Sequence, residues 1–319
     1  MPLGNPSPAL RRAALPAALA LLAMTAIALA VVVLPRPHGA PSPVRTNTSP
    51  PPVDLVDRVG SFVAGFSGTD GYRTPDPAER AHLSRGVELV LNGRTAAARE
   101  ELSNIGFTVR VLRLTGSNRQ VAEVSEESVT EQGWGRVYVD LSRPARWSVQ
   151  VPHPRSDLRS ELIGADLFER VPGGVLVLAG APRDVGRGNA ADVAHRRDSA
   201  FNAVCDLLVA RGLPAVQVHG FADESSPGHD VVVSPGAAAP GPDVRRAADL
   251  IAAAGERVCR VWEQSCGRLE GTTNVQSAAA VEHGVPFLHI ENSRGVRDDE
   301  AARARVAGAL ADVVERWNR

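Results

Sequence analysis

The chain has 319 residues, of which 44% are hydrophobic, and a formal net charge of −1. That is enough apolar material for one sizeable core, and the near-neutral balance excludes a nucleic-acid partner or a basic membrane patch as the organising feature. No lysine occurs, which excludes Schiff-base chemistry on a lysine.

Residues 1–12 end in Arg11-Arg12 and are expected to stay in the cytoplasm, because flanking arginines hold that side inside. Residues 13–34 carry no charge. As a helix they span about 33 Å, against a hydrocarbon core of about 30 Å. A secretory signal core is shorter, about 7–15 residues, so the run predicts an uncleaved signal anchor. A cleaved signal peptide, cut after Ala30, is the rival. Both export the rest, giving a single-pass membrane protein with its domain outside or a secreted one. Residues 35–52 are rich in Pro, Ser and Thr and read as a stiff tether. One domain, 53–319, follows.

Its first part predicts helices at Ala78–Leu91 and Thr95–Ser103, broken by Asn92-Gly93. Alternating apolar residues then predict strands at Phe107–Leu114, Val121–Val124 and Val137–Leu141. These form one edge of a mixed sheet, with Arg110 and Arg113 on solvated strand faces. From Trp147 onward strands and helices alternate. Strands are expected at Trp147–Val151, Val175–Leu178, Ala215–Phe221, Val231–Ser234 and Pro286–Ile290. Helices are expected from Ser156, and at Asp198–Ala210, Pro242–Trp262 and Asp298–Trp317. The alternation predicts an α/β fold with a mixed, mostly parallel sheet flanked by helices.

Three of these strands end on chemistry-bearing residues. Trp147-Ser-Val-Gln-Val-Pro-His153 delivers a histidine, with Asp157 expected in the first turn of the next helix behind an N-cap at Ser156. Ala215-Val-Gln-Val-His219 delivers a second, and Gly220 allows a sharp exit. Pro286-Phe-Leu-His-Ile-Glu291 delivers a carboxylate. Taken singly, each residue suits a hydrogen-bonded core or capping role at least as well. Three together at one sheet edge suit Zn²⁺, which takes three N/O ligands in a catalytic site and keeps one position open. His153, Asp157 and His219 are the expected ligands, with Glu161 the alternative to Asp157. Glu291 is the expected general base, accepting a proton from a metal-activated water and passing it to a leaving amine.

The pairs Pro152-His153, His219-Gly220 and Ile290-Glu291, in the order His, acid, His, Glu, resemble the zinc carboxypeptidase-like superfamily. The nearest branch is that of N-formylglutamate amidohydrolases and poly-γ-glutamate hydrolases. The resemblance covers roughly residues 147–300. It departs at the third ligand, since carboxypeptidases carry His-x-x-Glu where this chain has three residues between His153 and Asp157. It implies a Zn²⁺-dependent hydrolase of amide or peptide bonds, acting on a small peptide, an N-acyl amino acid or a γ-glutamyl substrate. The other reading is a non-catalytic envelope-binding module that has kept the fold and lost the metal.

Such substrates carry a carboxylate, which a guanidinium grips with two hydrogen bonds. Arg183 and Arg294 are candidates, each equally readable as a surface arginine. His195 is a candidate for orienting the substrate, His229 a reserve ligand, and Gly271–Gln276 a polar loop that could line the cleft. Cys259 and Cys266 are seven apart. On one regular helix they stand roughly 10 Å apart, too far to bridge, so free buried thiols are expected, with a disulfide the alternative in an exported domain.

Overall fold

The computed structural model describes residues 52–66, 71–127 and 132–319. The expected membrane segment 13–34 and almost all of the tether lie outside the described residues. Among the described residues, no helix is long and apolar enough to cross a membrane.

The first elements are β1 (Pro52–Val53), α1 (Leu55–Ala64), α2 (Pro77–Leu91) and α3 (Thr95–Ser103). Asp54 caps α1 by accepting from the Asp57 N–H. Asp76 and Glu79 form a reciprocal capping box at α2, with Pro77 at its first position. The strands β2 (Phe107–Leu114), β3 (Gln120–Glu126) and β4 (Arg136–Asp140) form an antiparallel meander. Then come β5 (Trp147–Val151), α4 (Ser160–Arg170), β6 (Gly174–Leu178), α5 (Ala200–Ala210) and β7 (Ala215–Gly220). The chain closes with β8 (Val231–Ser234), α6 (Pro242–Ala253), β9 (Val258–Arg260), α7 (Val275–His283), β10 (Phe287–Asn292), α8 (Arg294–Asp298) and α9 (Glu300–Trp317).

These strands make one mixed sheet in the order β1-β2-β3-β4-β6-β5-β7-β10-β8-β9. Its centre, β6-β5-β7-β10, is parallel. Successive residues of a strand face opposite sides, and the two cores follow that rule. Leu176, Leu178, Val216, Val218, Leu288 and Ile290 pack with α1, α4, α6 and α9 on one face. Val175 and Val177 pack with α2, α3 and α5 on the other. On that second face the apolar layer continues past β6 only at the start of β7 and β10, where Ala215 and Phe287 pack with Val209, Ala279 and Ala280. Elsewhere β5, β7 and β10 present Gln150, Gln217, His219, His289 and Glu291, all buried. The chemistry therefore occupies ground where valines would otherwise complete the core.

Four expectations are corrected. The helix after His153 starts at Ser160, not Ser156. Arg159, at φ 69°, interrupts any earlier helix, and the Ser156 hydroxyl accepts from the Arg183 N–H instead of capping. Asp157 thus lies in a turn ahead of α4, its N–H bonded to the His153 carbonyl at 2.7 Å. The helix from Pro242 stops at Ala253, because the chain turns at Gly255 with φ 102°. Cys259 therefore falls on β9 and not on a helix. Its Cα stands 6.0 Å from that of Cys266 and the two form a disulfide, where free thiols were expected. Gly220, finally, lies within β7 and makes no sharp exit. Its missing side chain leaves room for the Arg297 guanidinium, 2.3 Å from where a Cβ would sit.

Candidate metal centre

The parallel register sets the geometry. Glu291 on β10 pairs with His219 on β7, and His289 with Gln217. His153 follows β5 directly, and its ring meets that of His219 edge-on at 5.2 Å between centroids. Asp157 reaches back from the turn. Its Oδ2 stands 3.6 Å from His153 Nδ1 and 3.4 Å from His219 Nδ1. His153 Nδ1 and Asp157 Oδ2 are buried with no hydrogen-bond partner among the described residues. Ligand atoms at the corners of a tetrahedron with bonds of about 2.0–2.1 Å stand about 3.3 Å apart. These three residues therefore fit a zinc ion in both spacing and chemistry.

A second set, His219, His289 and Glu291, has ligand atoms within 4.8 Å of one another. His289 stacks on His219 at 4.5 Å. Its ring lies against Gly271, whose Cβ would stand 2.6 Å from it. The Nδ1 of His289 and Oε2 of Glu291 are also buried without a partner among the described residues. Glu161 is buried on α4 and belongs to neither set. His229 pairs with Ser226 and Gln264, away from the cluster.

Charge is distributed unevenly. Burial works against the ionised form of Asp157, yet the two imidazoles outweigh it and hold the carboxyl well below the usual range. Burial likewise opposes the imidazolium of His153, but Asp157 and Asp192 hold it up at about 9. For His219 burial dominates and lowers the value. Burial, and then the charge of Asp157, push the Glu291 carboxyl up to about 8. Burial lifts Glu161 to about 7.

Around the cluster, Asp192 accepts from His153 Nε2 at 2.8 Å and contacts His195 Nδ1 at 3.1 Å. It thereby links the expected substrate residue to the centre. Arg183 lines a cavity of about 500 Å³ with Arg155, Ser156, Pro182 and Asp184. Its charge reaches Glu291. Arg294 turns elsewhere, its Nε on Asp298 at 2.6 Å. Arg297 was not singled out by sequence. It is 4% exposed and donates to the carbonyls of Leu158, Phe221 and Asn292 at 2.8, 2.7 and 3.0 Å. Those carbonyls adjoin Asp157, His219 and Glu291, so one guanidinium ties together the three segments that bear the site. His289 had a readable signal, since it lies two residues before Glu291 on the same strand face.

Fold and site together describe a two-histidine, one-carboxylate centre at the carboxyl edge of a parallel sheet. No protein-family model and no curated protein matches the chain. Among solved structures it is similar to a metallo-carboxypeptidase from Burkholderia cenocepacia, at 13% identity over 72% of this chain and 68% of that one, with a TM-score of 0.39. It is similar to an aspartoacylase family protein from Mesorhizobium loti at 13% identity, over 63% and 70% of the two chains, with a TM-score of 0.38. A third is the catalytic domain of an N-acetylmuramoyl-L-alanine amidase from Bacillus (Paenibacillus) polymyxa, at 15% identity over 54% and 98%, with a TM-score of 0.35.

Proposed function

We propose that this chain is a zinc-dependent amidohydrolase or peptidase acting outside the cytoplasmic membrane. The supporting observation is the triangle of His153 Nδ1, Asp157 Oδ2 and His219 Nδ1, with the unbonded Oε2 of Glu291 beside it. His153, Asp157 and His219 would hold a zinc ion, whose positive charge would polarise a carbonyl and acidify a water. Glu291 takes a proton at Oε2 and returns it to the leaving amine; that role needs the carboxylate, which a cation at the adjacent ligands would favour against the burial that raises this group. Asp192 holds the His153 ring by its Nε2–H, and Arg183 draws a substrate carboxylate toward the centre. The substrate class is a small peptide, an N-acyl amino acid or a γ-glutamyl amide. The Cys259–Cys266 disulfide supports an oxidising compartment, in keeping with export by residues 13–34.

The test is the metal content of the purified chain by mass spectrometry, beside His219→Ala. About one zinc per chain in the parent and none in the variant is expected. A parent that takes up no zinc when it is supplied would overturn the reading.

A further inference from the structure

Behind the centre lies a buried set of amides, Gln150, Gln217, Asn202, Asn274 and Gln276, each 3% exposed or less. A carboxamide donates at one end and accepts at the other, so a chain of them transmits orientation. This chain is anchored on the backbone at two places. Gln276 Nε2 lies 2.9 Å from the Val193 carbonyl. A carbonyl only accepts, so that end of Gln276 is the NH₂. Its Oε1 then accepts from Gln217 Nε2 at 3.2 Å. Independently, Asn274 caps α7, its Oδ1 accepting from the Ser277 N–H at 2.9 Å. Its Nδ2 is left to donate to Gln217 Oε1 at 2.5 Å.

Both anchors orient Gln217 the same way. Its NH₂ serves Gln150 and Gln276, and its oxygen faces His219 Nε2 at 2.7 Å. An amide oxygen has no hydrogen to give, so His219 Nε2 carries one. The neutral ring is then bare at Nδ1, the nitrogen 3.4 Å from Asp157 Oδ2.

We infer that Gln217 is a positioning residue that fixes His219 in its Nε2–H tautomer and aims the Nδ1 lone pair at the metal position, with Asn274 and Gln276 fixing Gln217 in turn. The inference rests on the metal reading above for its purpose; the tautomer is read from the amide chain. Asp192 serves His153 in the same way through Nε2. A neutral amide does the work at His219 without adding a further negative charge beside Asp157 and Glu291. His289 has no such partner at Nδ1 among the described residues.

Nitrogen NMR on the full chain with ¹⁵N-labelled histidine, freed of metal at pH 7.5, reads the tautomer directly. A hydrogen on His219 Nε2 and a bare Nδ1 are expected. A hydrogen on Nδ1, or exchange between both nitrogens, would overturn the assignment without any variant having to fold. Gln217→Leu should then show a mixture of tautomers and bind zinc about 10–100-fold more weakly in chelator competition, the usual loss for an outer partner of a ligand histidine. Gln217→Glu keeps an oxygen for His219 but turns its second oxygen on those of Gln150 and Gln276, so it should recover only part of that affinity. If Gln217→Leu lowered the unfolding temperature but left zinc affinity unchanged, the role would be structural and the inference wrong. A parent with the expected tautomer that takes no zinc would instead sink the metal reading, so the two failures are distinguishable.

Discussion

Glu291 and His219 stand opposite one another in register on adjacent parallel strands, on the sheet face away from α4 and α9. Such a pair brings a carboxyl to an imidazole by backbone geometry alone, and both are buried. Glu291→Gln preserves shape and removes the proton acceptor. The expected outcome is unchanged zinc content and a rate lower by about 10²–10⁴ on any amide the parent cleaves. Normal turnover by that variant would show that another group moves the proton.

Asp157 and Glu161 were rival ligands, and their surroundings differ. Asp157 reaches both histidines, whereas Glu161 sits on α4 outside both ligand sets. Asp157→Asn should lose zinc, and Glu161→Gln should keep it. Metal analysis of the two purified variants decides, and the opposite result would reassign the third ligand.

Arg297 holds the carbonyls of Leu158, Phe221 and Asn292. Arg297→Met would leave three acceptors without their donor. The expected loss is at least about 2 kcal/mol of folding stability, with lower zinc occupancy, because the segments bearing Asp157, His219 and Glu291 lose their common tie. Denaturant unfolding beside metal analysis checks both. Full stability in that variant would mean that the three segments are held by their own packing.

The disulfide closes a short loop from β9 to Cys266. Chain entropy for so small a loop gives about 2–3 kcal/mol. Reduction, or Cys259→Ala with Cys266→Ala, should destabilise the domain by roughly that amount while leaving zinc content intact, since the loop lies outside the metal cluster. Equal unfolding midpoints with and without reductant would show that the bridge adds nothing.

The strands that deliver His153, His219 and Glu291 were legible because a polar residue ends an alternating apolar run in each. His289 stood in plain view but reads as core inside such a run, and only its two-residue offset from Glu291 marks it. The turn at Asp157 was not legible, since nothing local announces Arg159 at positive φ. The disulfide was hidden by helical periodicity carried past Gly255. Asp192 reaches His153 from 39 residues away in sequence and Gln276 of α7 reaches Gln217 from 59, where no local pattern extends. The sheet order, with β8 antiparallel beside β10, depends on pairings of the same long range.

Glu123 on β3 is fully buried and is gripped by Arg58 of α1 at 2.5 and 2.7 Å, with Arg136 and Arg110 at 3.5 and 3.6 Å. It therefore ties α1 to the sheet. Burial raises its carboxyl, but the Arg58 hydrogen bonds and the neighbouring guanidinium charges outweigh that and hold it below 4.5. A carboxyl whose folded value lies below its unfolded one contributes stability above the unfolded value and loses it as pH falls through the folded one. Glu123→Gln should therefore cost about 1.5–3 kcal/mol at neutral pH, the range of charge-assisted hydrogen bonds, since the guanidiniums left behind are partly exposed. The gap between parent and variant should stay constant from about pH 8 to pH 5.5 and narrow below about pH 4.5. Urea unfolding of both proteins across that range measures it. A gap that held constant down to pH 3 would mean that the native state does not depend on this carboxylate's charge.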